Sequence, residues 1–403
     1  MWSIEGQRQS YAWGSPSALP EFLGRESDGA PFAELWFGAH PIAPAQVETD
    51  SGWQPLDRMI ADRPRRILGD ASLRRFGATL PYLLKMIAPA QPLSLQVHPS
   101  LELARESFDA EEAAGVPLSA DGRNYHDANH KPEMVYALTR FEALSGFRTP
   151  RRAASILEGL GTELTDRLHA LLIEQPNANG MRAAFRALFS PHLADAQNVV
   201  EQVAAACAER LVSGNSPSPR IDAVVGSLHA HYPGDTGVLA ALLLNPVTLN
   251  PGEAMFVPAG AVHCYLSGLG VEIMANSDNV LRAGLTKKRV DTEEMLRCVS
   301  CVAAPPVRIA PEKVTDATEV FYVPVDDFEL SVTSLADSPG MFQPHERIPG
   351  SGARILLVLD GEVMVQTDLG RRRLRSGQAV LVSTEDGSVT VGGSGRLVQA
   401  SVA

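Results

Sequence analysis

The sequence predicts a mainly β protein interrupted by one α-helical insertion, and three observations carry that expectation. Short apolar runs parted by Gly and Pro fill both ends of the chain, the pattern of strands and turns rather than of long helices. Between them, leucines and alanines recur at helical spacing over residues 151 to about 231. The segment leading to His263 also has a weak echo beginning at Gly377, as a repeated β module would have.

In chain order, Ala33–Phe37 and Pro81–Ile87 read as strands, with helices expected at Leu56–Leu68 and Leu101–Ala114. Ile156, Leu157, Leu160, Leu164, Leu168, Leu171 and Leu172 make one helical face, Met181–Phe189 a second, and Val199 to Leu211 a third. Gly214–Pro219 is a linker and Ile221–Leu228 a fourth helix. β character returns near residue 237 with the buried run Leu239–Leu244. Strands follow at Met255–Pro258, Gly270–Met274, Arg354–Leu359, Glu362–Thr367, Ala379–Val382 and Ser388–Val391. Short strands so spaced fit jelly-roll barrels of the cupin kind. The expected architecture is two cupin-like jelly-roll barrels plus a helical domain. Residues 1–150 and 235–320 form a discontinuous catalytic unit, 151–234 the insertion and 321–403 a C-terminal barrel. Where the first barrel ends its Gly252, Pro258, Gly260, His263 pattern, the second has Ser383, Glu385 and Ser388, so it is expected to hold no metal.

A chain of 403 residues with a net charge of −12 is long enough for a substantial core and argues against a nucleic-acid partner. No apolar run approaches the ~20 residues that span a bilayer, and the N-terminus lacks the pattern of a secretory signal. Four cysteines make no disulfide framework, and Cys298 and Cys301 read as two ordinary thiols. A cytoplasmic monomer acting on a small molecule is the expectation.

Gln96, His98, Glu133 and His263 read as one scattered metal site. Alternate strand residues share a face, so Gln96 and His98 project together, about 7 Å apart. Two polar side chains on one face of the apolar run Leu93–His98 are costly to bury without partners, and a metal resolves that cost. Any lone histidine is more often a satisfied core residue; the pairing with Gln96 shifts the balance. Glu133 follows Pro132, which extends the backbone at Lys131 and turns Lys131 and Glu133 to one side. An exposed ion pair explains that pair equally well. His263 ends a Pro-x-Gly hairpin, a common way to present a ligand at a strand end. Together they form a mixed N/O set suited to a borderline or hard divalent ion, with room for water or substrate. Asn129, His126 and His130 read as structural. Arg282, Lys287, Lys288 and Arg289 form a basic cluster, either a solvated loop or, beside a metal cleft, an anion site.

These segments resemble type I phosphomannose isomerases. The matching motifs are Tyr11-Ala-Trp13-Gly-Ser, Glu34-Leu-Trp-Phe-Gly-Ala-His-Pro, Pro92-Leu-Ser94-Leu-Gln96-Val-His98-Pro and Asn129-His-Lys131-Pro-Glu133-Met. Glu142-Ala-Leu-Ser-Gly-Phe, Val257-Pro-Ala-Gly-Ala-Val-His263 and Glu272 through Arg282-Ala-Gly-Leu-Thr continue the series. The resemblance implies one Zn2+ per chain on Gln96, His98, Glu133 and His263. It also implies catalytic roles for Arg282, Lys131, Glu272 and Asp278, and substrate contacts at Ser94, Lys288 and Trp13. The family often reads Thr-Pro-Lys where this chain has Thr286-Lys287-Lys288, so the loop lacks a proline.

The implied reaction interconverts mannose 6-phosphate and fructose 6-phosphate by proton transfer through a cis-enediol, feeding mannose metabolism and GDP-mannose synthesis. Such chemistry needs a base, charge stabilisation at oxygen and a phosphate site. Lys131, Glu272, Asp278 and a zinc-bound water all remain open as the base, and Arg282 serves either the enediolate or the phosphate. Two histidines and a carboxylate also fit an iron dioxygenase, and a sugar-phosphate sensor would keep the same pocket without turnover.

Overall fold

A computed structural model describes residues 1–190, 195–336 and 345–403 of the chain. It is mainly β, and every pairing between its named strands is antiparallel. Two sheets frame the site. One has seven strands and includes Glu34–Gly38, Tyr82–Ile87, Glu133–Ala137, Ala254–Val257 and Gly270–Ala275. The other has five, with Gln96–Val97, Phe141–Phe147, Leu244–Leu249, His263–Ser267 and Leu281–Arg282.

Strand alternation explains how these sheets stack. In Glu133–Ala137, Met134 and Tyr136 join one core cluster while Val135 and Ala137 join another. The second cluster also holds Phe141, Ala143, Val247 and Tyr265, so it lies between the two sheets. The far face of the seven-stranded sheet, with Leu84, Met86 and Ile273, packs on Leu330, Ile355, Leu357 and Val398 of the C-terminal sheet. The far face of the five-stranded sheet, with Val97, Leu144, Cys264 and Leu281, packs on the helices. The order is therefore helices, five strands, seven strands, C-terminal sheet. Any inward polar side chain lies between the two middle layers.

The helical segment contains Pro150–Leu157, Glu163–Glu174, Ala178–Leu188, Ala196–Val212 and Pro219–His231. The face expected from Ile156 to Leu172 thus belongs to two helices, separated at Gly159 and Gly161, both with positive φ. The helix expected at Leu56–Leu68 is also two, because Pro64 starts a new helix at Pro64–Phe76. Leu239–Leu244 is fully buried, but its first two residues complete a helical turn, Gly237–Ala240, and the strand starts only at Leu244. A further helix, Thr292–Cys298, lies in a stretch read from sequence as β.

The C-terminal sheet of eleven strands takes in Trp2–Glu5, Gln46–Thr49 and Gly52–Pro55 as well as the strands after residue 311. Trp2–Glu5 pairs with Ala379–Val382, a sharing that a division at residues 150, 234 and 320 does not describe. The two strands expected at Arg354–Leu359 and Glu362–Thr367 are one bent strand, Arg354–Thr367, with a bulge between Val358 and Asp360. Gly361 sits at the bend with φ 76°, where an added Cβ would stand 2.1 Å from the Ser394 carbonyl oxygen. Among the described residues no helix is long and apolar enough to cross a membrane, and all four cysteines are free and buried.

Candidate metal centre

His98, Glu133 and His263 converge between the two middle sheets. They are the one group of three or more His, Cys, Asp or Glu among the described residues whose ligand atoms cluster, all within 4.8 Å of one another. Glu133 comes from the inner face of the seven-stranded sheet, and His263 begins its strand opposite Gln96 and Ser145 in the five-stranded one. His98 lies one residue beyond Gln96–Val97. Pro99 follows it, and Ser100 caps the helix Leu101–Ala113 by accepting the Leu103 N–H.

The proton positions follow from the partners. His98 Nδ1 lies 2.8 Å from the Asn279 carbonyl oxygen, and His263 Nδ1 lies 3.1 Å from that of Ala261. A carbonyl only accepts, so each Nδ1 carries a proton, and in the neutral ring Nε2 turns a lone pair inward. His98 Nε2 is buried without a hydrogen bond. It nevertheless stands 3.3 Å from Glu133 Oε1, and His263 Nε2 stands 3.3 Å from Oε2. Burial pushes His98 down to about 4, against the attraction of Glu133, so the ring is neutral near pH 7. Burial also opposes ionisation of Glu133, but the two histidines and the Lys131 ammonium around it outweigh this and hold the carboxyl well below its usual range. Lone pairs from two imidazoles thus face a carboxylate across van der Waals distance. A divalent cation between them satisfies all three, and carbonyl-anchored histidines are the usual outer support of such a site.

Gln96 donates through Nε2 to Ser94 Oγ at 3.1 Å, which leaves its side-chain carbonyl oxygen as the atom available to a metal. Lys131 is buried and its Nζ lies 3.3 Å from Glu133 Oε1, as the Lys131-Pro132-Glu133 pattern predicts. Arg282 pairs in register with Gln96 on the adjacent strand. Among the described residues neither Arg282 nor Lys288 has a carboxylate partner, and the Arg282 charge pushes the Lys288 amine down. Two uncompensated cations together mark a place for an anion. Asp278 accepts His40 at 3.3 Å; burial raises it, but His40 and Lys131 outweigh this and keep it ionised. Trp13 packs at the edge of the inter-sheet core and stacks on the more exposed Tyr11 ring, 5.7 Å between centroids.

Comparison with known proteins agrees with this geometry. Residues 1–150 match the family model for the catalytic domain of phosphomannose isomerase type I, and residues 318–402 match the mannose-6-phosphate isomerase cupin domain. The mannose-6-phosphate isomerase of Escherichia coli K12 is 37% identical over 394 residues, covering 97% of each chain. The chain belongs to the type I phosphomannose isomerase family. It is by that membership an aldose–ketose isomerase. The human mannose-6-phosphate isomerase is 32% identical, over 89% of this chain and 87% of its own. A crystal structure of the Salmonella typhimurium isomerase bound to fructose 6-phosphate and zinc superposes with a TM-score of 0.88 and 36% identity, covering 100% of this chain and 99% of that one.

The sequence reading left one part of this phosphomannose isomerase site unnoticed. Lys85 is buried on the inner face with Glu272 at 3.1 Å and Glu34 at 3.8 Å, and it lies over the Trp36 ring. Glu272 is its direct cross-strand partner, and Trp36 donates to Glu34 at 2.7 Å. Burial alone would lower the Lys85 pKa, but the two carboxylates outweigh it and keep the amine charged. A lone lysine in Tyr82-Leu-Leu-Lys85-Met-Ile87 carries the same signal as His98, a polar group too costly to bury unpartnered.

Proposed function

We propose that the chain interconverts D-mannose 6-phosphate and D-fructose 6-phosphate, with one Zn2+ held by His98, Glu133, His263 and the Gln96 carbonyl oxygen. The donor set supports zinc: two imidazoles, a carboxylate and a weak amide, with outer hydrogen bonds from both rings to carbonyl oxygens. When bound, the ion orients the sugar and polarises its oxygens.

The remaining chemistry falls to side chains. Lys131 is buried beside Glu133 and moves the proton between C1 and C2 through a cis-enediol. Of the other base candidates, Glu272 is tied to Lys85 and Asp278 to His40, which fits them to shaping the field and holding sugar hydroxyls. Arg282, half-buried and without a carboxylate partner among the described residues, stabilises negative charge developing on oxygen, and Lys288 beside it takes the phosphate. Ser94 orients Gln96, and Trp13 with Tyr11 lines the rim. The convergence of His98, Glu133 and His263 beside Lys131 is the observation that carries this reading. On this reading the enzyme is a cytoplasmic monomer that supplies mannose metabolism and GDP-mannose synthesis, built from two cupin-like barrels and a helical insertion.

A coupled assay that detects fructose 6-phosphate formed from mannose 6-phosphate tests the proposal. Product formation supports it. Absence of product from folded, zinc-loaded protein rejects it in favour of a sugar-phosphate sensor or another substrate.

A further inference from the structure

We propose that the side-chain amide of Asn279 is a positioning residue that locks the segment bearing Lys131 and Glu133 against His98; this rests on the zinc-isomerase reading above. Asn279 is fully buried between the strands Gly270–Ala275 and Leu281–Arg282. Its main chain and side chain face two different parts of the site. The backbone carbonyl accepts the His98 Nδ1 proton at 2.8 Å.

The side chain reaches the loop that precedes Lys131. Asn279 Nδ2 donates to the carbonyl oxygens of Asp127 at 2.7 Å and Asn129 at 2.8 Å, with a longer contact to Asp127 Oδ1 at 3.3 Å. Its Oδ1 accepts the N–H groups of His126 at 2.8 Å and Asp127 at 3.4 Å. An amide offers two donor hydrogens and two acceptor lone pairs, and all are spent on one loop. Asp127 returns the connection. Its carboxylate accepts the Asp278 N–H at 2.8 Å, the Ser277 hydroxyl at 2.8 Å and the Asn129 N–H at 2.9 Å.

Residues 126–129 lie in no strand, so the sheet ladders do not fix them. The amide of Asn279 supplies that order, two residues before Lys131 and four before Glu133. One residue therefore orders the loop that leads into Lys131 with its side chain and anchors His98 with its main chain, while the sheet ladder holds Glu133. Only an amide suits the place. A carboxylate there would face two carbonyl oxygens and the Asp127 carboxylate, and an apolar side chain would leave the same backbone groups unpaired.

The test uses the full-length chain with Asn279→Asp and, as a milder change, Ser277→Ala, which removes one anchor of Asp127. Thermal midpoint, zinc affinity by competition with a chelator, kcat and KM are measured for each. Asn279→Asp is expected to weaken zinc binding about 10- to 100-fold and to lower kcat at saturating zinc by a similar factor. KM should change less than about threefold, since phosphate recognition lies elsewhere. Ser277→Ala should shift zinc affinity and kcat the same way by a smaller factor, and it decides the matter alone if Asn279→Asp does not fold. Folded variants with a lowered midpoint but parental zinc affinity and kcat would overturn the proposal and leave Asn279 a purely structural residue. A parent chain without zinc binding or turnover would instead overturn the functional reading on which the proposal stands.

Discussion

His98 Nε2 and Glu133 Oε1 face each other at 3.3 Å, and neither carries a proton to share. The His98 proton is committed to the Asn279 carbonyl on the far side of the ring, and the Glu133 carboxyl is held ionised. Left alone, this contact sets lone pair against lone pair in a buried space. Glu133→Ala should therefore abolish stoichiometric zinc binding while the fold persists, as read by metal analysis and circular dichroism. Full zinc occupancy in that variant would exclude Glu133 as a ligand.

Arg282 is placed by its strand, in register with Gln96, rather than by an ion pair. Arg282→Ala should lower kcat by about two to three orders of magnitude, the scale of losing one group that stabilises a developing oxyanion. Zinc content should stay near one per chain. Parallel loss of metal and turnover would reassign Arg282 to structural support of the metal strand.

Lys85 neutralises two buried carboxylates, Glu272 and Glu34. Lys85→Met removes the cation and leaves both acids buried, a change that costs roughly 3–5 kcal/mol when a buried pair is broken. Adding Glu272→Gln should recover part of that loss, because it removes one stranded charge. A denaturant-melt cycle over the two single variants and the double variant measures the coupling, and strict additivity would mean that the pair contributes nothing.

Acid should destabilise the metal-free protein through the same centre. The His98 ring is held neutral, at about 4 against 6.5 when unfolded, so its contribution is fully present above pH 6.5 and lost as pH falls towards 4. Glu133, also depressed, adds to the loss in the same direction at lower pH. The His98 part is on the order of 3 kcal/mol. Melts of metal-free protein between pH 7 and 4 should show this decline. It should shrink in His98→Gln, and an unchanged slope there would assign the decline to other groups.

The cluster of His98, Glu133 and His263 was legible because burying polar groups on or beside apolar strands carries a recognisable cost: Glu133 and His263 stand in such strands and His98 one residue beyond another. Lys85 obeys the same rule, but a single charge in a strand has many bland explanations and does not by itself point to a site. Asn279 was not legible. Its role lies in bonds to residues about 150 positions earlier, and nothing in the local pattern announces them. The fold divides in the same way. Helical periodicity located most of the longer helices, and apolar runs located strands such as Gly270–Ala275 and Ala379–Val382, whereas the pairing of Trp2–Glu5 with Ala379–Val382 depends on contacts that no local pattern encodes. The continuous strand through Gly361 was read as two because glycine marks a turn and a bulge alike.

The central claim is that one zinc ion in the His98–Glu133–His263 centre makes this chain a mannose-6-phosphate isomerase. The most direct measurement is a zinc titration of chelator-stripped protein, following fructose 6-phosphate formation in a coupled assay. The account predicts no turnover without metal, a linear rise with added zinc and a plateau at about one equivalent per chain. Full activity in the stripped protein, or none after one equivalent has bound, would contradict it.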